Sequence, residues 1–136
     1  MIETRTSVYD FHFHLVFVTK YRKSIFDTKE KQEELKMLLS SFADKNGSVI
    51  EGVEVMPDHV HLVLSFPPKF APSSIVKSFK GAAAREWFKL HPEDKQKLYK
   101  GHLWSPSFFM RTVGVASLET VMEYVKNQQT KEPRRY

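Results

Sequence analysis

Residues 54–66 read EVMPDHVHLVLSF, and this stretch decides the fold of the chain. The dipeptide Pro57-Asp58 is a turn signal, and residues 48–56 before it are rich in β-branched side chains. Residues 59–66 alternate with a period of two, and the even-numbered ones are all apolar, as in a strand with one face in the core. So short a link between two strands predicts an antiparallel β-hairpin.

The segment before the hairpin adds a strand and a helix. Residues 9–20 (YDFHFHLVFVTK) alternate like a strand, with aromatic and leucine side chains on one face and histidines on the other. Residues 28–46 carry leucines at helical spacing. Asn46-Gly47 ends this helix, because glycine readily takes the left-handed conformation that follows a helix.

The segment after the hairpin adds a helix, a strand and a last helix. A serine of residues 72–74 is expected as the N-cap of the helix, which closes at residues 91–92. A loop leads to a fourth strand at residues 108–113, and residues 117–130 form the last helix. This order predicts an α+β fold, a ferredoxin-like βαββαβ antiparallel sheet with an added C-terminal helix that carries Tyr124.

Length and composition are those of one folded domain, residues 1–136, with 41% hydrophobic residues. There is no cysteine, which excludes disulfides and thiolate metal sites and suits a reducing cytoplasm. The N-terminus lacks the apolar core of a signal peptide, and no apolar run reaches the roughly 20 residues of a membrane helix. We therefore expect a soluble, cytoplasmic protein. The net charge of +5 suits a polyanionic partner, and equally an ordinary basic protein.

Two H-x-H pairs, His12/His14 and His59/His61, are the candidate metal ligands. Because residues i and i+2 of a strand face the same way, each pair can direct two imidazoles at one point. Imidazole is a ready ligand for divalent metals. The alternative for His59/His61 is a pair of surface histidines on a half-exposed strand.

The last helix offers Gln128 as a third ligand and Tyr124 as a nucleophile. These residues are four apart and stack on one side of the helix. Gln128 is nearer the apolar stripe, so its side-chain oxygen could complete a His/His/Gln site with Tyr124 one turn away. The alternatives are a tyrosine at the margin of the core and a solvated glutamine.

At these residues the sequence resembles the single-tyrosine HUH transposases of bacterial and archaeal insertion sequences, including their REP-associated relatives. HUH stands for histidine, hydrophobe, histidine, here His59-Val60-His61. The resemblance covers nearly the whole chain, and the blocks that carry it are FHFHLVFVTKYRKSIF (11–26), EVMPDHVHLVLSF (54–66), IVKSFKGAAAR (75–85), LWSPSFFMRTVG (103–114) and EYVKNQQ (123–129).

The resemblance implies an enzyme that cuts and rejoins single-stranded DNA without ATP. Tyr124 would join the 5′ phosphate and free a 3′ hydroxyl, beside a divalent metal held by His59, His61 and Gln128. Mg²⁺ or Mn²⁺ is the implied metal, although imidazole ligands favour Mn²⁺ over Mg²⁺ and Zn²⁺ competes. Such proteins are compact homodimers that recognise DNA hairpins near the ends of an insertion sequence.

Further residues could support the site or bind DNA. His14 is expected near His59/His61, because the first and third strands of such a sheet are neighbours, or else it is a packed core histidine. Lys131 could contact phosphate or be a solvated tail lysine. The candidates for contacts with the DNA backbone are Lys20, Arg22, Lys23, Lys77, Lys80, Arg85 and Arg111.

Four aromatic residues could stack unpaired bases, although core packing is the better interpretation for most of them: Phe70, Trp87, Trp104 and Phe108. Two other functions fit the same topology. One is a non-catalytic domain that binds single-stranded nucleic acid, and such domains display aromatics on the open face of the sheet. The other is a metal-dependent nuclease that releases its product by attack of water.

Overall fold

The computed structural model describes residues 2–3, 8–9, 12–98, 101–113, 123 and 125–126. The elements follow one another as β1 (Ile2–Glu3), β2 (Val8–Tyr9), β3 (His12–Thr19), a 3-10 turn (Lys20–Arg22), α1 (Lys29–Asn46), β4 (Val49–Met56), β5 (His59–Ser65), α2 (Pro72–Leu90), α3 (Pro92–Gln96) and β6 (Trp104–Val113). Among the described residues, no helix is long and apolar enough to cross a membrane.

Strands β3 to β6 form one antiparallel sheet in the order β4-β5-β3-β6, while β1 and β2 pair separately. With β3 counted as the first strand, this is the strand order of a ferredoxin-like βαββαβ sheet. The predicted α+β fold is confirmed. Glu123, Val125 and Lys126 are helical, and Val125 is buried, whereas Tyr124 lies outside the described residues.

The core lies between one face of the sheet and the two long helices. Leu15 and Phe17 of β3 meet the even-numbered residues of β5 there, as the period of two predicts. Helix α2 contributes the apolar side that the sequence predicts, which is Ile75, Val76, Phe79, Ala82, Ala83 and Trp87.

The first helix begins and ends where its sequence signals lie. The Thr28 side chain accepts a hydrogen bond from the Lys31 backbone N–H at 3.2 Å. Gly47 follows the helix in the left-handed region, with φ of 77°. The boundary of α2 differs from the prediction. Its N-cap is Ala71 and not a serine, and Pro72 at the first helical position needs no N–H partner.

Two elements between α2 and the end of the sheet differ from the sequence prediction. Pro92 ends α2 but also begins the short helix α3, where the sequence predicts only a loop. Strand β6 begins at Trp104 rather than residue 108, and it contains Pro106. Since β6 pairs only with β3 in the described sheet, it is an edge strand, where proline is tolerated.

Replacement of Gly47 by alanine should lower the free energy of unfolding by about 1–2 kcal/mol, because a Cβ is disfavoured at a φ of 77°. Gly81→Ala is the matched control, since Gly81 lies within α2 and its added Cβ would meet the flexible Arg85 side chain at 3.5 Å. This control should raise stability by up to about 1 kcal/mol. Urea unfolding measures both changes, and equal effects of the two substitutions would contradict the assignment of the helix end.

Candidate active site

The face of the sheet opposite the helices carries four histidines from two neighbouring strands. His12 and His14 lie on β3, and His59 and His61 lie on β5. In the antiparallel register, residue 16 pairs with His61 and residue 18 with His59, so all four side chains share one face. His59 and His61 have an exposed fraction of 0%. The alternative of surface histidines on a half-exposed strand is therefore wrong.

The tautomer of His59 is fixed by the residue before it. Its Nδ1 lies 2.8 Å from Oδ1 of Asp58, and the other oxygen of Asp58 accepts a hydrogen bond from Nε of Arg22 at 3.0 Å. Because an ionised carboxylate only accepts hydrogen bonds, Nδ1 carries the hydrogen and Nε2 keeps its lone pair. That Nε2 is buried and has no hydrogen-bond partner within the described part of the chain.

The protonation states of this pair follow from burial and from the hydrogen bonds. Burial lowers the pKa of His59, although the hydrogen bond to Asp58 acts in the opposite direction. Burial alone would raise the pKa of Asp58, but the hydrogen bonds from His59 and Arg22 outweigh it and hold that pKa below its usual range. At neutral pH the site therefore presents a neutral imidazole backed by a carboxylate.

His14 lies against His61, as expected for neighbouring strands. Nε2 of His14 is 3.2 Å from Nδ1 of His61, and the rings stack with an interplanar angle of 18°. Burial and, to a smaller extent, the charge of Arg111 together lower the pKa of His14 to about 4. His14 is therefore neutral at pH 7, and it fixes the orientation of the His61 ring without adding charge.

His12 belongs to a polar network that sequence reasoning missed. Ser65 Oγ lies 2.9 Å from Nδ1 of His12, and the Glu51 carboxylate contacts both groups. The alternation of residues on β5 was a usable signal for Ser65, since it puts residue 65 on the face of His59 and His61. Glu51 and Asp58 carried no comparable signal, because only the tertiary pairing brings Glu51 to His12 and the turn brings Asp58 to His59.

The histidine pair on β5 suits a divalent cation. The rings of His59 and His61 are 5.1 Å apart between centroids, and both Nε2 atoms are buried on the same face of the sheet. A histidine that binds a metal usually donates its other N–H to a carboxylate or a similar group, as His59 does to Asp58. The other site residues predicted from the sequence, Tyr124, Gln128 and Lys131, lie outside the described residues.

The basic candidates for DNA contact lie in three places rather than in one patch. Lys20, Arg22 and Lys23 follow β3, at the end of the sheet where His59 lies. Arg111 pairs with His14 across β3 and β6, so it shares the histidine face. The others are on α2, which packs against the opposite face, and they are Lys77, Lys80 and Arg85.

Lys80, one of these candidates, has a structural partner in β6. Nζ of Lys80 donates to the carbonyl of Ser105 at 2.6 Å, and burial lowers the pKa of this lysine. This hydrogen bond links α2 to β6. Trp87 and Trp104 are core residues, as the sequence favoured, whereas Phe108 is 39% exposed and Phe70 is partly buried.

A second group of possible metal ligands lies at the start of α3, away from the histidine face. Ligand atoms of His91, Glu93 and Asp94 lie within 4.8 Å of one another. However, His91 contacts Glu34 through Nε2 at 2.7 Å and Glu93 through Nδ1 at 3.2 Å. Burial would lower the pKa of His91, but these hydrogen bonds outweigh it and raise that pKa. His91 therefore forms ion pairs with Glu34 of α1 and Glu93 of α3, which link the two helices.

The chain matches known sequences over most of its length. Residues 7–128 match the sequence family described as Transposase IS200 like. The chain is 39% identical over 132 residues to the ISDra2 transposase TnpA of Deinococcus radiodurans, and the match covers 97% of this chain and 94% of that protein. It is 29% identical over 117 residues to a transposase for insertion sequence element IS200 from Salmonella typhimurium, covering 85% and 75% of the two.

Solved structures share the fold. One from Deinococcus radiodurans R1, described as a transposase, superimposes with a TM-score of 0.76 at 38% identity, covering 94% of this chain and 98% of that one. A REP-associated tyrosine transposase bound to a REP hairpin gives a TM-score of 0.63 at 16% identity, covering 96% and 73%. At that identity the second match shows a common fold.

The low pKa of His14 should make the protein less stable in mild acid. Its folded-state pKa of about 4 lies below the ordinary 6.5, so the unfolded chain binds more protons between these values. The stability from a neutral His14 is fully present above about pH 6.5 and is lost as the pH falls toward 4. His14→Gln should flatten this dependence in urea unfolding between about pH 7.5 and pH 4.5. The same slope in both proteins would show that His14 is not the group responsible.

Proposed function

The chain belongs to the IS200-like transposase family, and on that premise we propose that it cuts and rejoins single-stranded DNA through a covalent bond between Tyr124 and phosphate. The protein is a DNA transposase, and its chemistry is assigned to the histidine face. One observation carries this assignment, namely the buried pair His59/His61, in which Asp58 leaves the Nε2 lone pair of His59 available to a ligand.

Tyr124 is the proposed nucleophile. Its phenolic oxygen attacks the phosphorus of a phosphodiester, the bond from phosphorus to the 3′ oxygen breaks, and the 3′ oxygen gains a proton while the phenol loses one. The product is a 5′-phosphotyrosine and a free 3′ hydroxyl. Because one ester replaces another, a second 3′ hydroxyl can reverse the step on a different strand, which transfers the strand without ATP.

The phenol needs activation, because an ordinary tyrosine pKa near 10 leaves about one phenolate in a thousand at neutral pH. We propose that His59, His61 and Gln128 hold a divalent cation, Mg²⁺ or Mn²⁺. When bound, this cation would act as a Lewis acid on a phosphate oxygen. The contribution of the protein is to present neutral imidazoles, since burial disfavours the imidazolium form of His59. His14 and Lys131 are proposed as supporting residues.

The proposed substrate is single-stranded DNA that carries hairpins at the ends of an insertion element. The solved REP-associated relative with this fold is bound to a REP hairpin, which supports the same class of ligand here. Arg111 on the histidine face, with Lys20 and Lys23 at the adjacent end of the sheet, can contact the phosphates near the cut. A cytoplasmic site of action is also proposed, which a chain without cysteine suits.

The active form is proposed to be a homodimer. Strand β6 is an edge of the described sheet, and it exposes Phe108 and Phe109 by 39% and 37%. An exposed edge strand with large apolar side chains is a ready surface for pairing with another strand. The other edge, β4, exposes only Val49 among its large apolar residues. A second copy of the chain is therefore expected to pair along β6.

Two other functions are less well supported. A non-catalytic nucleic-acid binder of this topology would display several aromatics on the open sheet face, whereas the described part of this face carries four buried imidazoles beside the 37% exposed Phe109. A nuclease that uses water would need the same metal ligands but no tyrosine adduct. The two experiments below separate these functions from strand transfer.

Tyr124→Phe should abolish a covalent adduct between protein and DNA, because phenylalanine has no oxygen to attack phosphorus. A hairpin oligonucleotide incubated with Mn²⁺ and resolved on a denaturing gel detects the adduct. Hairpin binding by gel shift should persist in the variant, since the phenol contributes little to DNA affinity. Cleavage by the unaltered protein without any adduct would instead support the nuclease, and binding without cleavage would support the non-catalytic binder.

His59→Ala should abolish cleavage while hairpin binding persists, because a ligand is lost and the surface charge is unchanged. Asp44→Asn, an exposed position away from the histidine face, is the control and should cleave like the unaltered protein. Both activities are read on the same gels. Loss of binding together with cleavage in His59→Ala would mean that the residue serves folding and not chemistry.

Phe108→Glu should convert the dimer to a monomer, because a charge at the apolar edge opposes strand pairing between copies. Light scattering after size-exclusion chromatography measures the mass. Val49→Glu on the opposite edge, β4, is the matched control and should leave the dimer intact. A dimer that survives Phe108→Glu and dissociates in Val49→Glu would place the interface on β4.

A further inference from the structure

The 3-10 turn after β3 has an unusual backbone. Tyr21 and Arg22 both lie in the left-handed region, with φ of 57° and 55°. A side chain with a Cβ disfavours this conformation, and adjacent residues adopt it only when their surroundings hold them there. From this turn, Nε of Arg22 donates a hydrogen bond to the carboxylate of Asp58, in the hairpin turn that precedes His59.

Hydrogen bonds fix the two turns to each other. The backbone N–H of Thr19 donates to the carbonyl of Asp58 at 2.9 Å, and the Thr19 hydroxyl donates to the carbonyl of Lys23 at 2.7 Å. Further along, the N–H of Phe26 donates to the carbonyl of Pro57 at 3.0 Å. The bonds to Asp58 and Pro57 use backbone oxygens of the hairpin turn, so the turn is held without the carboxylate of Asp58.

The carboxylate of Asp58, which these backbone contacts do not use, forms hydrogen bonds with both Arg22 and His59. Arg22 Nε donates to one oxygen at 3.0 Å, and His59 Nδ1 donates to the other at 2.8 Å. Exposure decreases along this chain of contacts, with side-chain exposed fractions of 34% for Arg22, 17% for Asp58 and 0% for His59. The buried end is the imidazole whose Nε2 is free of hydrogen bonds within the described part of the chain.

We propose that Asp58 and Arg22 are positioning residues that hold His59 in the Nδ1–H tautomer, with Nε2 directed at a divalent cation. This role rests on the proposed function, in which His59 is a metal ligand. Asp58 accepts a hydrogen bond from the Nδ1–H group and thereby makes the ring a stronger ligand, as carboxylates beside metal-bound histidines do. Arg22 fixes the second oxygen of Asp58, which prevents the carboxylate from rotating away from the ring.

The first test needs neither metal nor DNA. In protein labelled with ¹⁵N-histidine, long-range ¹H–¹⁵N correlation spectra report which ring nitrogen of His59 carries the hydrogen. The expected result is the Nδ1–H tautomer, with a mixture of tautomers in Asp58→Asn. Thermal unfolding confirms that the variant is folded. An Nε2–H tautomer in the unaltered protein, or an unchanged tautomer in a folded Asp58→Asn, would overturn the proposal.

The second test measures Mn²⁺ affinity by electron paramagnetic resonance and, in parallel, the Mn²⁺ dependence of hairpin cleavage. Loss of such a carboxylate typically weakens metal binding by about 10- to 100-fold. Asp58→Asn should show a loss of this size, and high Mn²⁺ should restore its cleavage. Arg22→Gln should show a smaller loss of a few-fold, because Asp58 keeps its bond to His59. Asp44→Asn is the control and should match the unaltered protein.

Different outcomes would contradict the positioning role of Asp58 and the metal site at His59. If His59→Ala is inactive and Asp58→Asn binds Mn²⁺ like the unaltered protein, the positioning role is wrong and the proposed function stands. If His59→Ala binds Mn²⁺ and cleaves normally, the metal site itself is wrong. Cleavage by Asp58→Asn that high Mn²⁺ does not restore, with unchanged Mn²⁺ affinity, would also overturn the positioning role.

Discussion

The antiparallel pairing of β3 with β5 is the constraint on which the rest of the site depends. Its register places residue 18 opposite His59 and residue 14 opposite residue 63, so histidines from both strands share one face. A slip of one residue would turn the whole set of side chains on a strand to the other face. The apolar residues on the other face of these strands oppose such a slip, because Leu15, Phe17 and Leu62 would then leave the core.

Burial of both sheet faces explains why the histidine face is so heavily hydrogen-bonded. A buried polar group without a partner is costly, so these imidazoles are paired with one another or with nearby carboxylate and hydroxyl groups. His14 contacts His61, and His12 contacts Glu51 and Ser65. Burial also keeps the imidazoles of His14 and His59 neutral, since it lowers the pKa of both. Neutral, oriented imidazoles are the form that binds a metal, so one physical cause serves both stability and chemistry.

Sequence patterns that span only a few residues predicted much of this architecture. Alternation on β5 and helical spacing on α2 identified the core sides, because each pattern reports a face of a single element. The end of α1 at Gly47 was predictable too, because the left-handed conformation after a helix is a preference of the glycine itself. The misses had local causes as well. Pro72 made a serine cap on α2 unnecessary, and the edge position of β6 allowed Pro106 to lie inside a strand.

By itself the sequence determined the order of the four sheet strands and the two long helices, the hairpin with its H-x-H pair and the resemblance to a family of transposases, since all of these follow from spacing along the chain. It did not predict the separate β1–β2 pair or the short helix α3. For His14 the sequence left two positions open, and the tertiary structure decided for the one against His61. Only the tertiary structure showed that Arg22 reaches Asp58 and that Glu51 joins His12 and Ser65. The two residues of the histidine pair, for example, are 47 positions apart in the sequence. Strand register and turn geometry bring such partners together. Side-chain contacts of that kind have no period in the sequence, so a pattern along the chain could not reveal them.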